Sequence, residues 1–215
     1  MSRVEKSRKI YLVLFLLGAI TGVVLQLIDS ENPIQTMLYY TMMSNAAVII
    51  YFGVALFTKN PSVTSRSVKA ALTIAIMITF LVYHLVLAPT LTEKPAFWGN
   101  FFVHTFTPLM TLLDYFLFDQ KGVLRTKQIP YWLIAPLSYF VFANIYAILG
   151  GTFVYENSSS RYPYFFMNPD LIGWGGVILF VLGISVFVLL LSWGYVLLDK
   201  KIAEEQYKTP KRFRS

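Results

Sequence analysis

Stretches without Asp, Glu, Lys or Arg recur six times along the chain: Ile10–Ile28, Asn32–Thr58, Ala70–Thr92, Pro95–Leu113, Gln128–Tyr155 and Leu171–Leu198. Each reaches the about 17–25 residues that a helix needs to cross hydrocarbon. Trimming polar and Pro-rich ends, and letting some ends run on to the interface, predicts helices over roughly Ile10–Ile28, Thr36–Phe57, Lys69–Ala88, Phe97–Phe118, Pro130–Gly150 and Leu171–Leu198. The expected fold is an all-α polytopic bundle of six transmembrane helices. It forms one domain over residues 1–215 that ends in a basic tail, 199–215. The longest connection, Gly151–Asp170, is too short for a further domain. No internal repeat is visible, so the doubled architecture of many secondary transporters has no support.

Composition agrees. Hydrophobic residues make up 56% of the chain and charged ones 13%, against about 25% charged in soluble domains. With no cysteine, the chain offers no disulfide, thiolate nucleophile or Cys-ligated metal. The net charge of +7 matters through its placement: 16 of the 18 Lys and Arg fall in the N-terminal segment, the second and fourth loops and the tail. Lys94 and Arg161 alone fall in the alternate loops. Cytoplasmic loops are the ones enriched in Lys and Arg, so both termini are expected in the cytoplasm and the protein in a cell membrane. The basic tail is read as a topology signal, or as a contact with anionic lipid headgroups. It is not read as a nucleic-acid site. Trp98 and Trp174 fall at the expected outer ends of spans, Trp132 and Trp193 near inner ends, where indoles favour the headgroup region. The first apolar stretch is longer than a signal-peptide core and lacks a small-x-small cleavage site. Asn157-Ser158-Ser159 matches a glycosylation acceptor in an outer loop, a pattern common by chance.

Ionisable side chains within hydrocarbon are costly and commonly functional. Three lie well inside the predicted spans: His84, His104 and Asp114. At about 1.5 Å rise per residue, Thr41 lies roughly 8 Å, His104 about 10 Å and His84 roughly 6 Å below the expected outer surface. Asn45 follows Thr41 by one turn on the same face. Each has a structural reading too. A membrane threonine usually bonds its own i−4 carbonyl, histidines bond between helices, and Ser44 and Asn45 suit close packing. Pro108 leaves the His104 carbonyl without its helical donor, which predicts a kink there. Asp114 is about 15 Å further along the helix than His104. It is expected to pair at the inner face near Lys121 and Arg125, with a buried pair to another span as the competing reading.

Tyr40-Thr41-Met42-Met43-Ser44-Asn45 and Asn100-Phe101-Phe102-Val103-His104-Thr105 resemble segments of the androgen-induced membrane protein family. Asp114 and the stretch Tyr162-Pro163-Tyr164-Phe165-Phe166 fit the same pattern. The likeness runs from Leu27 to Leu198, and the Ser44-Asn45 ending resembles the bacterial six-span branch. This resemblance implies a membrane threonine hydrolase of fatty acid esters of hydroxy fatty acids, with Thr41 as nucleophile and His104 as base. No cofactor or metal is called for. Under that reading, Asn45 and His84 are the side-chain candidates for oxyanion support, and Arg161 and Lys94 for pairing with a substrate carboxylate. The partners are then the lipid bilayer and a lipid ester. Nothing in the chain names a protein partner. The competing readings are a non-catalytic six-span transporter or lipid-binding protein, a b-type cytochrome with haem between His84 and His104, and a structural membrane protein.

Overall fold

The structure, a computed structural model, describes residues 3–58, 63–91, 96–155 and 158–208, without the side chains of 63–65, 155 and 158. Six helices are long and apolar enough to cross a membrane: Arg3–Ile28, Tyr40–Phe57, Arg66–Thr90, Phe97–Phe118, Thr126–Ile148 and Pro169–Lys208. They are called the first to sixth spans below. The chain is an all-α polytopic membrane bundle. Its mid-span outer surface is apolar, with Leu14, Leu17, Ile50, Val54, Leu182 and Leu190 all exposed, as suits side chains that face acyl chains rather than water.

Three clusters fill the interior. Leu12, Phe15, Val48, Phe52 and Ile76 join the first three spans. Ala70, Ile74, Tyr115, Trp132, Val188 and Tyr195 join the third to sixth. Tyr139, Ala143, Tyr162, Phe166 and Met167 hold the fifth span to the loop that follows it. The described Lys and Arg residues, Arg161 apart, gather at one end of the bundle, called here the basic end. His84, His104, Leu91, Ala96 and the loop residues 29–39, 149–155 and 158–168 form the opposite, histidine end.

Several span ends differ from the sequence expectation, each for a local reason. The second span begins at Tyr40 rather than Thr36. Asn32 caps a separate short helix, Pro33–Met37, by accepting from the Gln35 amide at 3.2 Å, and Tyr39 is extended, with ψ 145°. The fifth span opens as a 3₁₀ segment over Thr126–Leu133 that contains Pro130; proline has no N–H for a helical bond. The sixth span runs to Lys208, so the first part of the expected tail is helix. Asp199, where the charge pattern ended the span, is buried and accepts from Tyr115 Oη at 3.0 Å and the Leu124 amide at 2.9 Å. Trp132 is 2% exposed and packs near Tyr195; it belongs to the core, not to a headgroup belt. A short hairpin, Phe153–Tyr155 with Ser158–Ser160, follows the fifth span. Asn157 lies outside the described residues.

Asp114 corrects a second expectation. It is fully buried and pairs with Lys69 of the third span, which also reaches Asp119 at 2.5 Å. The competing reading, a buried pair between spans, is the one the structure contains. Lys121 instead donates to the Tyr115 and Asp119 carbonyls.

Candidate functional site

The histidine end contains two helical irregularities that face each other. The third span turns π-helical over Tyr83–Leu87 and the fourth over Phe102–Phe106. In each, a backbone N–H reaches back five residues: Ala88 to the Tyr83 carbonyl and Thr107 to the Phe102 carbonyl. The residue after each donor is a proline, Pro89 or Pro108, which has no N–H to continue the series. In the fourth span the Val103 carbonyl takes a side-chain donor. Asn45 Nδ2 donates to it at 3.1 Å and to the Thr41 carbonyl at 2.8 Å. One buried amide thus ties the top of the second span to the π turn of the fourth. In the first span, Gly18 leaves room for the Phe106 ring and Gly22 for the Cβ and backbone of Phe102, which seats that turn against a third helix.

Thr41 is the second residue of its helix. It makes no bond to a preceding carbonyl, because no turn of that helix precedes it. The first amides of a helix have no intrahelical partners. The Tyr164 phenol, from the loop before the sixth span, lies over this terminus, close to the Tyr40 and Thr41 backbones and the Thr41 side chain. Burial pushes the Tyr164 phenol up to about 12, while its contacts with Thr41 and Tyr40 oppose the rise. It is therefore a neutral hydrogen-bond donor at ordinary pH.

Thr41 and His104 line one cavity of about 490 Å³, together with Tyr83, Asn100 and Tyr164. They share this cavity without a direct hydrogen bond between them. His104 Nδ1 is buried and has no partner. Its ring stacks on Tyr83, and the Thr79 carbonyl lies close by. Asn100 Nδ2 donates to Tyr83 Oη at 2.6 Å, which leaves the Tyr83 hydroxyl proton free to donate. Thr41, Tyr83, Leu87 and Tyr164 also line a smaller cavity of about 80 Å³ walled by Ile78, Val82, Leu137, Phe166 and Ile184. Thr41 thus stands where a polar chamber meets an apolar one.

The remaining expected site residues lie elsewhere. His84 is exposed, its Nε2 3.0 Å from Thr105 Oγ1, and it does not line the cavity. A haem between the two histidines would need both rings aimed into one gap, which this arrangement lacks. Asn45 adjoins the site, and both its Nδ2 hydrogen bonds go to backbone carbonyls. Arg161 faces Asp170 at 3.8 Å on the exposed surface and is absent from the cavity wall. Lys94 lies outside the described residues. Tyr83 and Tyr164 were not singled out from the sequence, where aromatic residues in apolar surroundings look like filler. The only signals were the proline after each π turn and the aromatic run around Tyr164. Among the described residues, no group of His, Asp and Glu is arranged to hold a metal ion.

Compared with known proteins, the chain matches no family model, no curated protein and no solved structure.

Proposed function

We propose that this chain is an integral membrane hydrolase of lipid esters, related to the androgen-induced membrane proteins. Thr41 is its nucleophile and His104 its general base. The observation that carries the reading is the placement of a first-turn threonine and an imidazole whose buried Nδ1 has no partner on one cavity wall, at the junction with an apolar chamber. The acyl chain lies in the apolar chamber and the alcohol portion in the polar one. Thr41 Oγ attacks the ester carbonyl while His104 accepts its proton, directly or through one water. The proton returns to the alkoxide as the C–O bond breaks. Water then releases the acyl group from Thr41 by the same exchange. The hydroxyls of Tyr164 and Tyr83 donate to the oxyanion, taking the part first expected of Asn45 and His84. Tyr164 suits this task, since amides crowding its oxygen polarise the O–H.

The basic end is assigned to the cytoplasm, which opens the polar cavity to the other side of the membrane. The direct test is turnover of a long-chain fluorogenic ester by protein in nanodiscs. Thr41→Ala and His104→Ala should each lower kcat by at least about 10²-fold, and Thr41→Ser should retain activity. A fluorophosphonate probe should label Thr41 and not the His104→Ala variant. Wild-type turnover in either alanine variant rejects the assignment.

A further inference from the structure

The charge of the polar chamber bears on what its substrate carries. Its wall contains Asp29 and Glu31 but no Lys or Arg among the described residues. Neither Asp29 nor Glu31 is held in a salt bridge among the described residues. Gln35, also on the wall, has a buried Oε1 without a donor, while its Nε2 is occupied by Thr152 Oγ1 at 3.3 Å. The chamber therefore offers unfilled acceptors and negative charge. A substrate carboxylate would meet repulsion here, and the one described cation at this end, Arg161, is turned to Asp170.

The apolar side supplies a second constraint. A groove of about 440 Å³ on the flank of the bundle is lined by Leu81, Leu85, Leu179, Phe180 and Gly183. Val82 and Ile184 line both this groove and the inner apolar cavity. Groove, apolar cavity and polar chamber thus form a series, linked by shared wall residues, from the lipid-facing surface past Thr41 to the histidine end. The groove lies between helices that cross the membrane, so a single acyl chain of the surrounding lipid is its natural occupant.

We infer that the site takes a single-chain acyl lipid whose head is not anionic and donates hydrogen bonds, either an ammonium or a hydroxyl-bearing group, entering between the third and sixth spans. This inference rests on the proposed site and changes the substrate class implied by the family resemblance, whose esters carry a free carboxylate.

Binding, not turnover, is the appropriate readout. The Thr41→Ala variant in phosphatidylcholine nanodiscs is titrated with 6-aminohexyl palmitate, whose primary ammonium donates hydrogen bonds, with monopalmitoylglycerol and with the palmitate ester of a hydroxy fatty acid. The first two should bind about tenfold more tightly than the third. Asp29→Asn with Glu31→Gln should cut that preference to about threefold or less. Whichever of the first two binds more tightly identifies the head as ammonium or hydroxyl. Gly183→Trp, at a position where an added Cβ meets no atom within 4 Å, should weaken all three. Equal or tighter binding of the carboxylate ester, or a preference unchanged in the double variant, overturns the inference. Head selectivity without wild-type hydrolysis removes the catalytic reading and leaves this one standing. Hydrolysis without selectivity does the reverse.

Discussion

Tyr83 and His104 lie ring on ring, with centroids 3.8 Å apart and planes inclined by 20°. The two residues come from different spans, each from a π-helical turn. The stack fixes the imidazole plane, and the Asn100 contact holds the phenol oxygen. Two substitutions separate these roles. Tyr83→Phe keeps the stack and loses the hydroxyl. If that hydroxyl donates to the oxyanion, kcat should fall by about 10²-fold with KM unchanged. Tyr83→Ala loses both and should also lower the melting temperature in detergent, since an aromatic stack adds about 0.5–1.5 kcal/mol beyond burial. Equal kinetics for Tyr83→Phe and wild type would reduce Tyr83 to a positioning residue.

The six spans are legible because charge is excluded from hydrocarbon, and twenty-residue gaps between charges need no knowledge of neighbours. The level shared by Thr41 and His104 follows from the rise per residue. What stayed hidden depends on contacts between helices. The carbonyl that Asn45 takes is that of Val103, on a π turn that Phe106 and Phe102 seat against Gly18 and Gly22. A proline spacing alone does not distinguish that turn from a simple kink. Lys69 and Asp114 are 45 positions apart, and each alone reads as an interfacial charge. Asp199 reads as the end of a helix, although buried donors carry the sixth span past it.

The Lys69–Asp114 pair should be asymmetric in what its loss costs. Lys69 is 4% and Asp114 0% exposed. Lys69→Met strands two acids and should cost about 3–5 kcal/mol. Asp114→Asn leaves Lys69 paired with Asp119 and should cost less. Thermal unfolding of the two variants and of the double variant checks this. A double variant as stable as Asp114→Asn alone would show that the stranded acid, not the missing lysine, carries the cost.

Asp119 sits just past the fourth span, and burial raises its carboxyl above the ordinary range, with Lys69 opposing the rise. The folded state then holds this proton more tightly than the unfolded state does. Its contribution is full below the unfolded carboxyl pKa and is lost as pH rises through the higher folded one. Asp119→Asn removes the contribution. The melting temperature of the variant should therefore fall less than that of wild type as pH rises from the acid side through this range. Parallel curves would show that Asp119 does not govern the change.

Topology has a clean test because the chain has no cysteine. Single substitutions Ser160→Cys at the histidine end and Gln120→Cys at the basic end give two unique thiols. In intact cells a membrane-impermeant maleimide should label the first and spare the second until the membrane is opened. The opposite labelling would place the Thr41 cavity on the cytoplasmic side.

Pro108→Ala is the most informative backbone change. It returns an N–H at the place where the fourth span lacks one and lets Val103 or His104 regain a helical donor. Pro108 and its neighbour Thr107 are both buried, so the loss of ring volume and the gain of a backbone bond pull stability in opposite directions. A buried backbone bond is worth about 0.5–1.5 kcal/mol, and the proline ring's lost contacts are of similar size, so the melting temperature should move little. Activity should not be spared. A straightened turn rotates His104 off Tyr83 and withdraws the Val103 carbonyl from Asn45, which separates the base from the Thr41 wall. Turnover should drop by at least about tenfold, since small misplacements of catalytic groups are costly. Asn45→Ala, which removes the same tie from the other side, should lose both activity and stability, because it strands the Val103 carbonyl at about 1–3 kcal/mol, while the Thr41 carbonyl keeps Ser44 Oγ as a donor. Full activity in Pro108→Ala would mean that the π turn is a packing accommodation with no part in setting the imidazole.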